Sequence, residues 1–262
     1  MLDGRGMYIW KLAPIMDVEG GVESMVVKAQ RAKLSSIWVK VANGNTAYSN
    51  ATGAMAREFA RLVDGMHGAG IQVWGWHVPR VLQPAHATDE AELVASLAST
   101  FHLDGALIDA EAGSSFFQGT PADASIYASR LRQLMADQGK AVALSSHDIP
   151  TNFPEFPFWS FAQHVDVNAP QVYYGASSSV KNRLDRAVDA NADLQIPMVP
   201  VGAGWVGPGG GCASANDCAE RALAFMMLCR RYDLPGYSFW HWYGAPTALW
   251  DVLFNTGVVP EV

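Results

Sequence analysis

Basic charge and long apolar runs are both scarce in this sequence. Lysine and arginine together number 18 against 25 aspartate and glutamate residues, which gives a net charge of −7 at pH 7. This acidity disfavours nucleic acid and anionic membrane surfaces as main partners. No run reaches the roughly 18 apolar residues that a transmembrane helix requires, so we predict no membrane insertion. The segment Met1–Gly6 lacks the basic-then-apolar pattern of a secretory signal peptide.

Cysteine is scarce as well. The chain has three cysteines, too few for the disulfide framework of a small secreted domain, and the spacing of Cys212, Cys218 and Cys229 matches no zinc signature. Cys212 and Cys218 flank a short loop, and the sequence leaves open whether they are bridged or are buried free thiols. The first predicted strand lacks the paired histidines of a metal amidohydrolase. We therefore predict that the protein needs no metal and no organic cofactor.

Hydrophobic residues are abundant by contrast and make up 50% of the chain. Eight short apolar runs rich in valine, isoleucine and aromatic residues are typical of strands. Most of them are apolar on both faces, as parallel strands covered by helices are. The predicted strands are Met7–Leu12, Ser36–Ala42, Ile71–Pro79, Gly105–Ala112, Ala141–Asp148, Val165–Tyr174, Gln195–Trp205 and Gly236–Gly244.

Segments with helical periodicity separate these strands. Helices are predicted over Gly21–Lys33, Ala54–Ala69, Val180–Ala192, Ala215–Arg231 and Ala248–Phe254, with two more that open at Thr88–Asp89 and at Pro121. The segment Asn152–Gln163 is predicted to be mostly loop. Eight alternating βα units predict an α/β fold, a single (β/α)8 TIM barrel that spans residues 1–262 as one domain. A doubly wound open sheet is the alternative, but no glycine-rich dinucleotide fingerprint follows the first strand.

The strongest functional signal is a pair of acids at the end of the fourth predicted strand. Active sites of such barrels lie at the carboxyl ends of the strands. Asp109 and Glu111 are two residues apart there, so both side chains point to one face, about 7 Å apart along the strand. Close like charges raise the pKa of one acid, and an acid beside an anion is what cleavage of a glycosidic bond requires. The alternative is that both acids pair with arginine or lysine across the barrel mouth.

Other polar groups near strand ends extend this site. Asp148 follows the fifth predicted strand, so either the Asp109–Glu111 pair acts alone with help from the substrate, or Asp148 joins it. Gln171 and Tyr173 share one face at the end of the sixth strand, where an amide and a hydroxyl can hold a substrate amide. A buried Tyr173 with a satisfied hydroxyl is the alternative.

Aromatic and cationic side chains also lie near predicted strand ends. The tryptophans there, whose flat faces can stack on sugars, are Trp10, Trp76, Trp205, Trp240 and Trp242. Core filling is the alternative for any one of them. His77 and His147 are predicted to line the site, and Lys40 either pairs with the acids or serves as the Schiff-base lysine of an aldolase-type lyase. The glycine-rich segment Val206–Cys218 is predicted to be a rim loop, with phosphate binding as a weaker alternative.

Four motifs together resemble those of bacterial glycoside-hydrolase barrels. They are Asp-Ala-Glu at 109–111, Pro-Gln-Val-Tyr-Tyr at 170–174, Gln-Val-Trp-Gly-Trp-His at 72–77 and Phe-Trp-His-Trp-Tyr at 239–243. The chain is similar to the family 25 lysozymes and more distantly to the family 18 chitinases. The resemblance implies that Glu111 is the general acid and that Asp109 assists an N-acetyl group which attacks the anomeric carbon. It also implies that Tyr173 contacts the N-acetyl group and that Trp240 or Trp242 lies under the sugar.

Two positions depart from the patterns of those families. Leu107 stands where family 18 carries a further acid, and the first strand ends in Trp10 and Lys11 where family 25 usually carries aspartate. We predict a glycoside hydrolase that acts on a bacterial cell-wall or related polysaccharide, with peptidoglycan or another N-acetylhexosamine polymer as the first substrate to test. We expect a monomer that acts outside the cell or on the cell wall. The alternatives are a carbohydrate-binding barrel without catalysis and the aldolase-type lyase.

Overall fold

Parallel strands form the centre of the computed structural model, which describes residues 2–257. The strands are β1 (Gly4–Ile9), β2 (Ser36–Asn43), β3 (Thr46–Ala47), β4 (Gln72–Val78), β5 (Gly105–Asp109), β6 (Ala141–Ser145), β7 (Val167–Asn168), β8 (Gln171–Val172), β9 (Val201–Ala203) and β10 (Gly236–Trp240). The short β3 pairs antiparallel with the end of β2. The others pair parallel in the order β7-β6-β5-β4-β2-β1-β10-β9-β8.

The ring of strands closes through β7 and β8. β7 pairs with β6, β8 pairs with β9, and single bridges extend both pairings across the short gap between them. The two segments are therefore halves of the sixth predicted strand, interrupted at Pro170, whose ring nitrogen has no hydrogen to donate to a ladder. Counted as one strand, they complete a ring of eight, and the predicted (β/α)8 barrel is confirmed.

Helices cover the outside of this ring. Within residues 2–257 they are α1 (Leu12–Glu19), α2 (Val22–Arg31), α3 (Gly53–Gly68), α4 (His86–Thr100), α5 (Pro121–Ala136), α6 (Phe158–Ala162), α7 (Val180–Asn191), α8 (Ala215–Arg231) and α9 (Thr247–Asn255). α5 begins at Pro121 as predicted, and a reciprocal capping box between Thr120 and Asp123 fixes its start. The segment predicted to be mostly loop, residues 152–163, contains only the five-residue helix α6 and a 3₁₀ turn at its start.

Several strands end earlier than the sequence predicts. The fourth predicted strand ends at Asp109, so Glu111 lies in the loop that follows. The eighth ends at Trp240, and a 3₁₀ turn over Trp242–Gly244 comes after it. The seventh, predicted over Gln195–Trp205, is regular only in β9. These early ends leave several candidate residues on loops, where the alternation of a strand no longer decides their direction.

Successive strand residues alternate between two apolar layers. Inward-facing residues fill the barrel, among them Tyr8, Trp38, Trp74, Trp76, Leu107 and Val201. Residues between them, such as Met7, Ile9, Ile37 and Ile108, pack against the helices. Gly105 permits this filling, because a Cβ there would lie 2.5 Å from the Trp74 ring. The residues that reach the barrel mouth are those that share the inward face of their strand.

Candidate active site

Asp109 and Glu111 meet at the mouth of the barrel. Asp109 is the last residue of β5 and is 6% exposed, while Glu111 is half-buried in the loop after it. Gln171 Nε2 donates to Asp109 Oδ1 and to Glu111 Oε1, at 3.0 Å in both cases. The two acceptor oxygens are therefore no more than 6.0 Å apart. One amide group holds both carboxylates in one place.

The surroundings of this pair favour the retention of a proton. Burial raises the pKa of Asp109 well above its ordinary value and the neighbouring Glu111 raises it further, while Lys40 and Gln171 oppose the shift. Burial also raises the pKa of Glu111, again opposed by Gln171. Two like charges at such close range in a poorly solvated site are unfavourable, so we expect the pair to share one proton at neutral pH. The arrangement then offers an acid beside an anion.

Lys40 brings positive charge to the same cleft. It lies near the end of β2 and is 7% exposed, with Nζ 4.7 Å from the centroid of the Trp76 ring and 4.9 Å from that of Tyr48. Its Nζ donates to Asn43 Oδ1 at 3.3 Å. Burial lowers the pKa of Lys40 to about 8, and the charge of Asp109 acts in the opposite direction. The lysine thus remains mostly protonated at neutral pH, as a counter-charge to Asp109.

Two polar side chains inside the barrel, those of Tyr8 and Ser145, were not predicted to take part in the site. Tyr8 of β1 is 2% exposed, and Ser145 ends β6 in register with Asp109. Gln171 Nε2 lies 3.4 Å from Ser145 Oγ. Burial raises the pKa of the Tyr8 hydroxyl well above its ordinary value, and the two cleft carboxylates contribute to that rise. Tyr8 could have been predicted to belong to the site, because it lies two residues before Trp10 and so on the same face of the first predicted strand.

Aromatic side chains form the walls of a cleft of about 320 Å³ above the acids. Besides Asp109, Glu111, Lys40 and Gln171, it is lined by Trp10, Trp76, Val78, Phe116, Tyr173, Trp205, Gly209 and Trp240. The rings of Trp76 and Trp240 meet edge to face at 5.6 Å, and those of Tyr173 and Trp205 do so at 5.0 Å. Trp10 is 41% exposed. Four of the five tryptophans predicted for the site therefore lie in one cleft with the two acids.

Trp242, the fifth predicted tryptophan, lies outside the cleft. It is 2% exposed, its ring is 4.9 Å from that of Trp250 in α9, and its Nε1 donates to Glu19 Oε1 at 2.9 Å. β10 ends at Trp240, and a 3₁₀ turn over Trp242–Gly244 follows it. Trp242 therefore does not continue the inward face of β10. The prediction that Trp242 belongs to the site is corrected accordingly, and Trp240 is the tryptophan of this strand that lines the cleft.

His77 also lies away from the predicted position. It follows the inward-facing Trp76 in β4 and so points outward, where it is completely buried. Its Nδ1 lies 2.8 Å from the Tyr127 hydroxyl, and its Nε2 lies 2.9 Å from the carbonyl oxygen of Gly44. Burial lowers the pKa of His77 to about 3, so the ring is neutral. His77 and Trp76 could not both face the cleft, because adjacent strand residues point to opposite sides.

His147 contacts the backbone next to the site but does not line the cleft. Its Nε2 accepts a hydrogen bond from the backbone N–H of Ala112 at 2.9 Å, and its ring stacks on Phe153 at 3.6 Å between centroids. Burial lowers the pKa of His147 to about 4, which leaves Nε2 unprotonated and able to accept. This contact fixes the chain directly after Glu111.

Asn50 holds two strand ends together and had no signal in the sequence. It is 1% exposed, and its Nδ2 donates to the carbonyl oxygens of Trp10 and Lys40, both at 2.9 Å. Its Oδ1 accepts from the backbone N–H of Leu12 at 2.8 Å, at the start of α1. One buried amide thus fixes the backbone of two cleft residues. Such a contact joins segments that are distant in sequence, and no local pattern marks it.

Asp148, the third acid considered from the sequence, is paired elsewhere. Arg183 of α7 donates from Nη2 to Asp148 Oδ1 at 2.8 Å, and its Nε lies 2.5 Å from Oδ2. Asp148 is absent from the lining of the cleft. Among the described residues, the carboxylates that line the cleft are therefore Asp109 and Glu111.

Between residues 2 and 257, no group of three or more histidine, cysteine, aspartate or glutamate side chains is placed to hold a metal ion. None of the helices in that part of the chain has both the length and the apolar character needed to cross a bilayer.

Solved structures match this fold, although no protein-family model and no curated protein sequence matches the chain. A chitinase from Bacteroides thetaiotaomicron gives a TM-score of 0.66 at 11% identity, over 99% of this chain and 96% of that one. The spore cortex-lytic enzyme SleL from Bacillus megaterium QM B1551 gives 0.64 at 10% identity, over 99% and 75%. A chitinase from Chromobacterium violaceum ATCC 12472 gives 0.61 at 11% identity, over 96% and 98%.

These matches show that the chain shares its barrel fold with these proteins. A family 18 chitinase from Pseudoalteromonas aurantia also matches, with a TM-score of 0.61 at 13% identity, over 94% of this chain and 97% of that one. At such low identity the likeness is one of fold, and it agrees with the resemblance to family 18. None of the four proteins is named a family 25 lysozyme, and the family of this chain stays a prediction.

Proposed function

We propose that this protein is a glycoside hydrolase that cleaves a polymer of N-acetylhexosamine. The observation that carries the proposal is that Gln171 holds the buried Asp109 and the half-buried Glu111 with their acceptor oxygens no more than 6.0 Å apart, in a cleft walled by aromatic rings. Protonation of a glycosidic oxygen needs an acid that keeps its proton at neutral pH, with a second charge to stabilise the positive sugar carbon. The matched structures support this, since they are named chitinases and a spore cortex-lytic enzyme.

We assign the roles of Asp109 and Glu111 from their different environments. Glu111 is the more exposed and lies on the loop, where it can reach a glycosidic oxygen, so we assign it the shared proton and the role of general acid. Asp109 lies deeper, where burial and Glu111 raise its pKa and the counter-charge of Lys40 opposes that rise; we assign it the anionic form during the reaction because Lys40 lies beside it. Tyr173 and Gln171 are assigned to hold the substrate amide. Trp10, Trp76, Trp205 and Trp240 are assigned to bind sugar rings through their faces.

The proposed reaction uses a group of the substrate as the nucleophile. The carbonyl oxygen of the N-acetyl group attacks the anomeric carbon while Glu111 gives its proton to the leaving oxygen. Asp109 accepts the amide N–H and stabilises the oxazolinium ion that forms. The Glu111 carboxylate then takes a proton from a water molecule that opens this ion. Both acids come from one segment, and the described lining of the cleft holds no third carboxylate to act as nucleophile.

This scheme predicts the stereochemistry of the product. Two successive displacements at the anomeric carbon give net retention, whereas direct attack by water requires two carboxylates about 6.5–9.5 Å apart with water between them. The oxygens held by Gln171 are closer than that. We therefore expect the first product released to retain the configuration of the substrate, which NMR of the reducing-end proton during early turnover would measure.

The substrate class is tested by offering two polymers. We expect new reducing ends, identified by mass spectrometry, from N-acetylglucosamine oligomers or from purified peptidoglycan, and the comparison shows which polymer is preferred. Glu111→Gln should lower the rate about 10²–10⁴-fold, as loss of a general acid does. The matched control is Glu92→Gln on α4, whose exposed carboxylate pairs with Arg130, and it should retain full activity. Equal rates in wild type and Glu111→Gln would overturn the proposal.

The two alternatives give different results in the same experiments. A barrel that only binds carbohydrate would retain either polymer without releasing reducing ends. An aldolase-type lyase would form a Schiff base on Lys40, which borohydride would trap as a covalent adduct of a carbonyl substrate. Lys40 has a lowered pKa of about 8 but is held beside Asp109, which favours the charged form over the neutral amine that this chemistry needs. We therefore expect no adduct.

A further inference from the structure

Two buried cysteines face each other behind one wall of the cleft. Cys212 is 1% exposed and Cys218 is completely buried, and their Sγ atoms lie 2.6 Å apart. Both sulfur atoms also approach the carbonyl oxygen of Ala203, at 3.8 Å. A disulfide places its sulfur atoms about 2.05 Å apart, so these two Sγ atoms would need to move only slightly closer to form one.

The segment between Trp205 and Cys212 forms part of the cleft wall. Its ends are paired, because Cys212 N–H donates to Trp205 O at 2.8 Å and Gly207 N–H donates to Cys212 O at 3.1 Å. Gly209 lines the cleft beside Trp205. Gly211 lies so close to the Trp205 ring that an added Cβ would be 2.5 Å from Nε1. We name residues 206–211 the wall loop.

The wall loop is anchored to the rest of the barrel by few groups. Gly175 N–H donates to Gly210 O at 2.9 Å, and Trp205, which directly precedes the loop, donates from Nε1 to Pro208 O at 3.1 Å. Three of its glycines, Gly207, Gly209 and Gly210, have positive φ angles. A loop rich in such residues has high conformational entropy when it is released, so one fixed end restricts it strongly.

We propose that Cys212 and Cys218 form a disulfide that fastens the wall loop to the first turn of α8. Cys218 is the fourth residue of α8, which Ser214 caps through its side chain. The bond would connect the end of a glycine-rich loop to the start of a helix. The position of Trp205 and Gly209 in the cleft would then depend on that connection.

The bond forms by thiol–disulfide exchange with a small disulfide oxidant such as oxidised glutathione. The Cys212 thiolate attacks one oxidant sulfur and releases one glutathione thiolate, giving a mixed disulfide. The Cys218 thiolate then attacks the sulfur of Cys212 and releases the second. Two protein thiols lose two electrons and two protons, and the oxidant becomes two thiols. The neighbouring Cys218 thiol lowers the pKa of Cys212, which suits Cys212 as the first nucleophile. Because both sulfurs are buried in the fold, exchange takes place as the chain folds.

Cys229 provides an internal control. It lies further along α8, is 1% exposed, and burial raises the pKa of its thiol well above the ordinary value. No sulfur lies against it in the described part of the chain at the distance that joins Cys212 and Cys218. A deeply buried thiol without such a neighbour should stay reduced in the same preparation.

The test is a thiol count after refolding. Wild type refolded in a glutathione redox buffer, then denatured, should react with one equivalent of a thiol reagent, and its intact mass should be lower by two hydrogens than after reduction. Peptide mapping should find 212 joined to 218. Cys229→Ser should leave no reactive thiol, whereas the Cys212→Ser, Cys218→Ser double variant should keep one and show no mass change on reduction. Three reactive thiols in wild type, or a bridge that includes Cys229, would overturn the proposal.

A second measurement tests the link to the wall loop. Limited digestion with a protease of broad specificity should cut residues 206–211 about tenfold faster in the double serine variant than in oxidised wild type, since a released loop opens more often. Cys229→Ser should be cut at the wild-type rate. Equal cutting of the double variant and wild type would refute the fastening role. Neither measurement uses glycan cleavage, so failure of the proposed function would leave both results interpretable.

Discussion

Asp148 and Asp109 follow neighbouring strands of the barrel, and their carboxylates are held in opposite ways. Asp148, beyond β6, has both oxygens against the guanidinium of Arg183. Asp109, at the end of β5, has a second carboxylate, Glu111, as its neighbour and shares the amide of Gln171 with it. Burial raises the pKa of both aspartates, but Arg183 opposes the rise at Asp148 whereas Glu111 adds to it at Asp109.

This difference separates a carboxylate that supports the fold from a pair that is available for chemistry. Loss of one partner of a buried ion pair leaves a charge without compensation and destabilises a protein. Loss of one member of a crowded pair of acids removes a repulsion. Perturbed acids in a cleft are typical of functional sites, although structural networks can also perturb them. Stability and activity should therefore respond in opposite directions when the two regions are substituted.

The largest expected effect comes from the same substitution in both regions. Asp109→Asn should lower kcat on the cleaved polymer about 10²–10³-fold, because the stabilising anion is lost. Asp148→Asn should leave kcat of the folded protein near wild type and reduce stability by about 2 kcal/mol, with Arg183 partly solvated. Urea unfolding and initial rates measure the two properties. Loss of activity in both variants with equal stability would remove the distinction between the regions.

The next effect concerns the amide that holds the pair. Gln171→Met removes both hydrogen bonds at similar volume, so kcat/KM should fall about 10–100-fold as the carboxylates lose their fixed positions. Gln171 lowers the pKa of Glu111 in the folded protein, so its removal should shift the alkaline limb of the rate profile to higher pH. Gln133→Met on the exposed face of α5 is the matched control. An unmoved alkaline limb would show that Gln171 does not act on the titrating acid.

A smaller effect is expected from the cation beside Asp109. Lys40 lowers the pKa of Asp109, so Lys40→Met should raise that pKa. Asp109 must be anionic to act, so the acidic limb of the rate profile should move to higher pH, and the rate at neutral pH should fall several-fold. Lys40→Arg should restore most of the wild-type profile. A Lys40→Met variant with an unchanged acidic limb would exclude the counter-charge role.

The smallest effect is one of stability. The pKa of Glu111 is raised in the fold above its ordinary value of 4.5, so the folded state holds the proton more tightly than the unfolded chain. Wild type therefore loses stability as pH rises from the ordinary value through the raised one. Glu111→Gln avoids that loss and should gain about 1 kcal/mol at neutral pH, or roughly 2–4 °C in Tm for a chain of this size. The gain should vanish at acidic pH, and a constant difference across pH would contradict the explanation.

The structural features that depend on periodicity could be predicted from the sequence alone. Alternating βα units predicted the barrel, and the place of Asp109 at a strand end put its side chain at the mouth. Glu111 lines the same cleft, as predicted, but from the loop after β5, where strand alternation does not set its direction. The same alternation could have placed His77 outside the cleft, because its neighbour Trp76 faces inward. The error arose from treating every polar residue near a strand end as part of the mouth.

Other parts of the site depend on contacts that no local pattern encodes. Asn50 joins two strand ends through its side chain, and His147 holds Ala112 from another loop. Trp242 lies outside the cleft because β10 ends earlier than predicted and the chain turns after Trp240. Each of these contacts requires knowledge of which loops lie side by side, and that follows only from the closed barrel.

The most direct test of the central claim compares two leaving groups in wild type and Glu111→Gln. A nitrophenyl glycoside of an N-acetylglucosamine oligomer releases a stable anion and needs no proton, whereas a natural glycosidic bond does. In single-turnover experiments, Glu111→Gln should lose about 10³-fold on the natural bond and less than about tenfold on the nitrophenyl bond. Equal losses on both bonds, or no loss on the natural one, would show that Glu111 does not donate the proton.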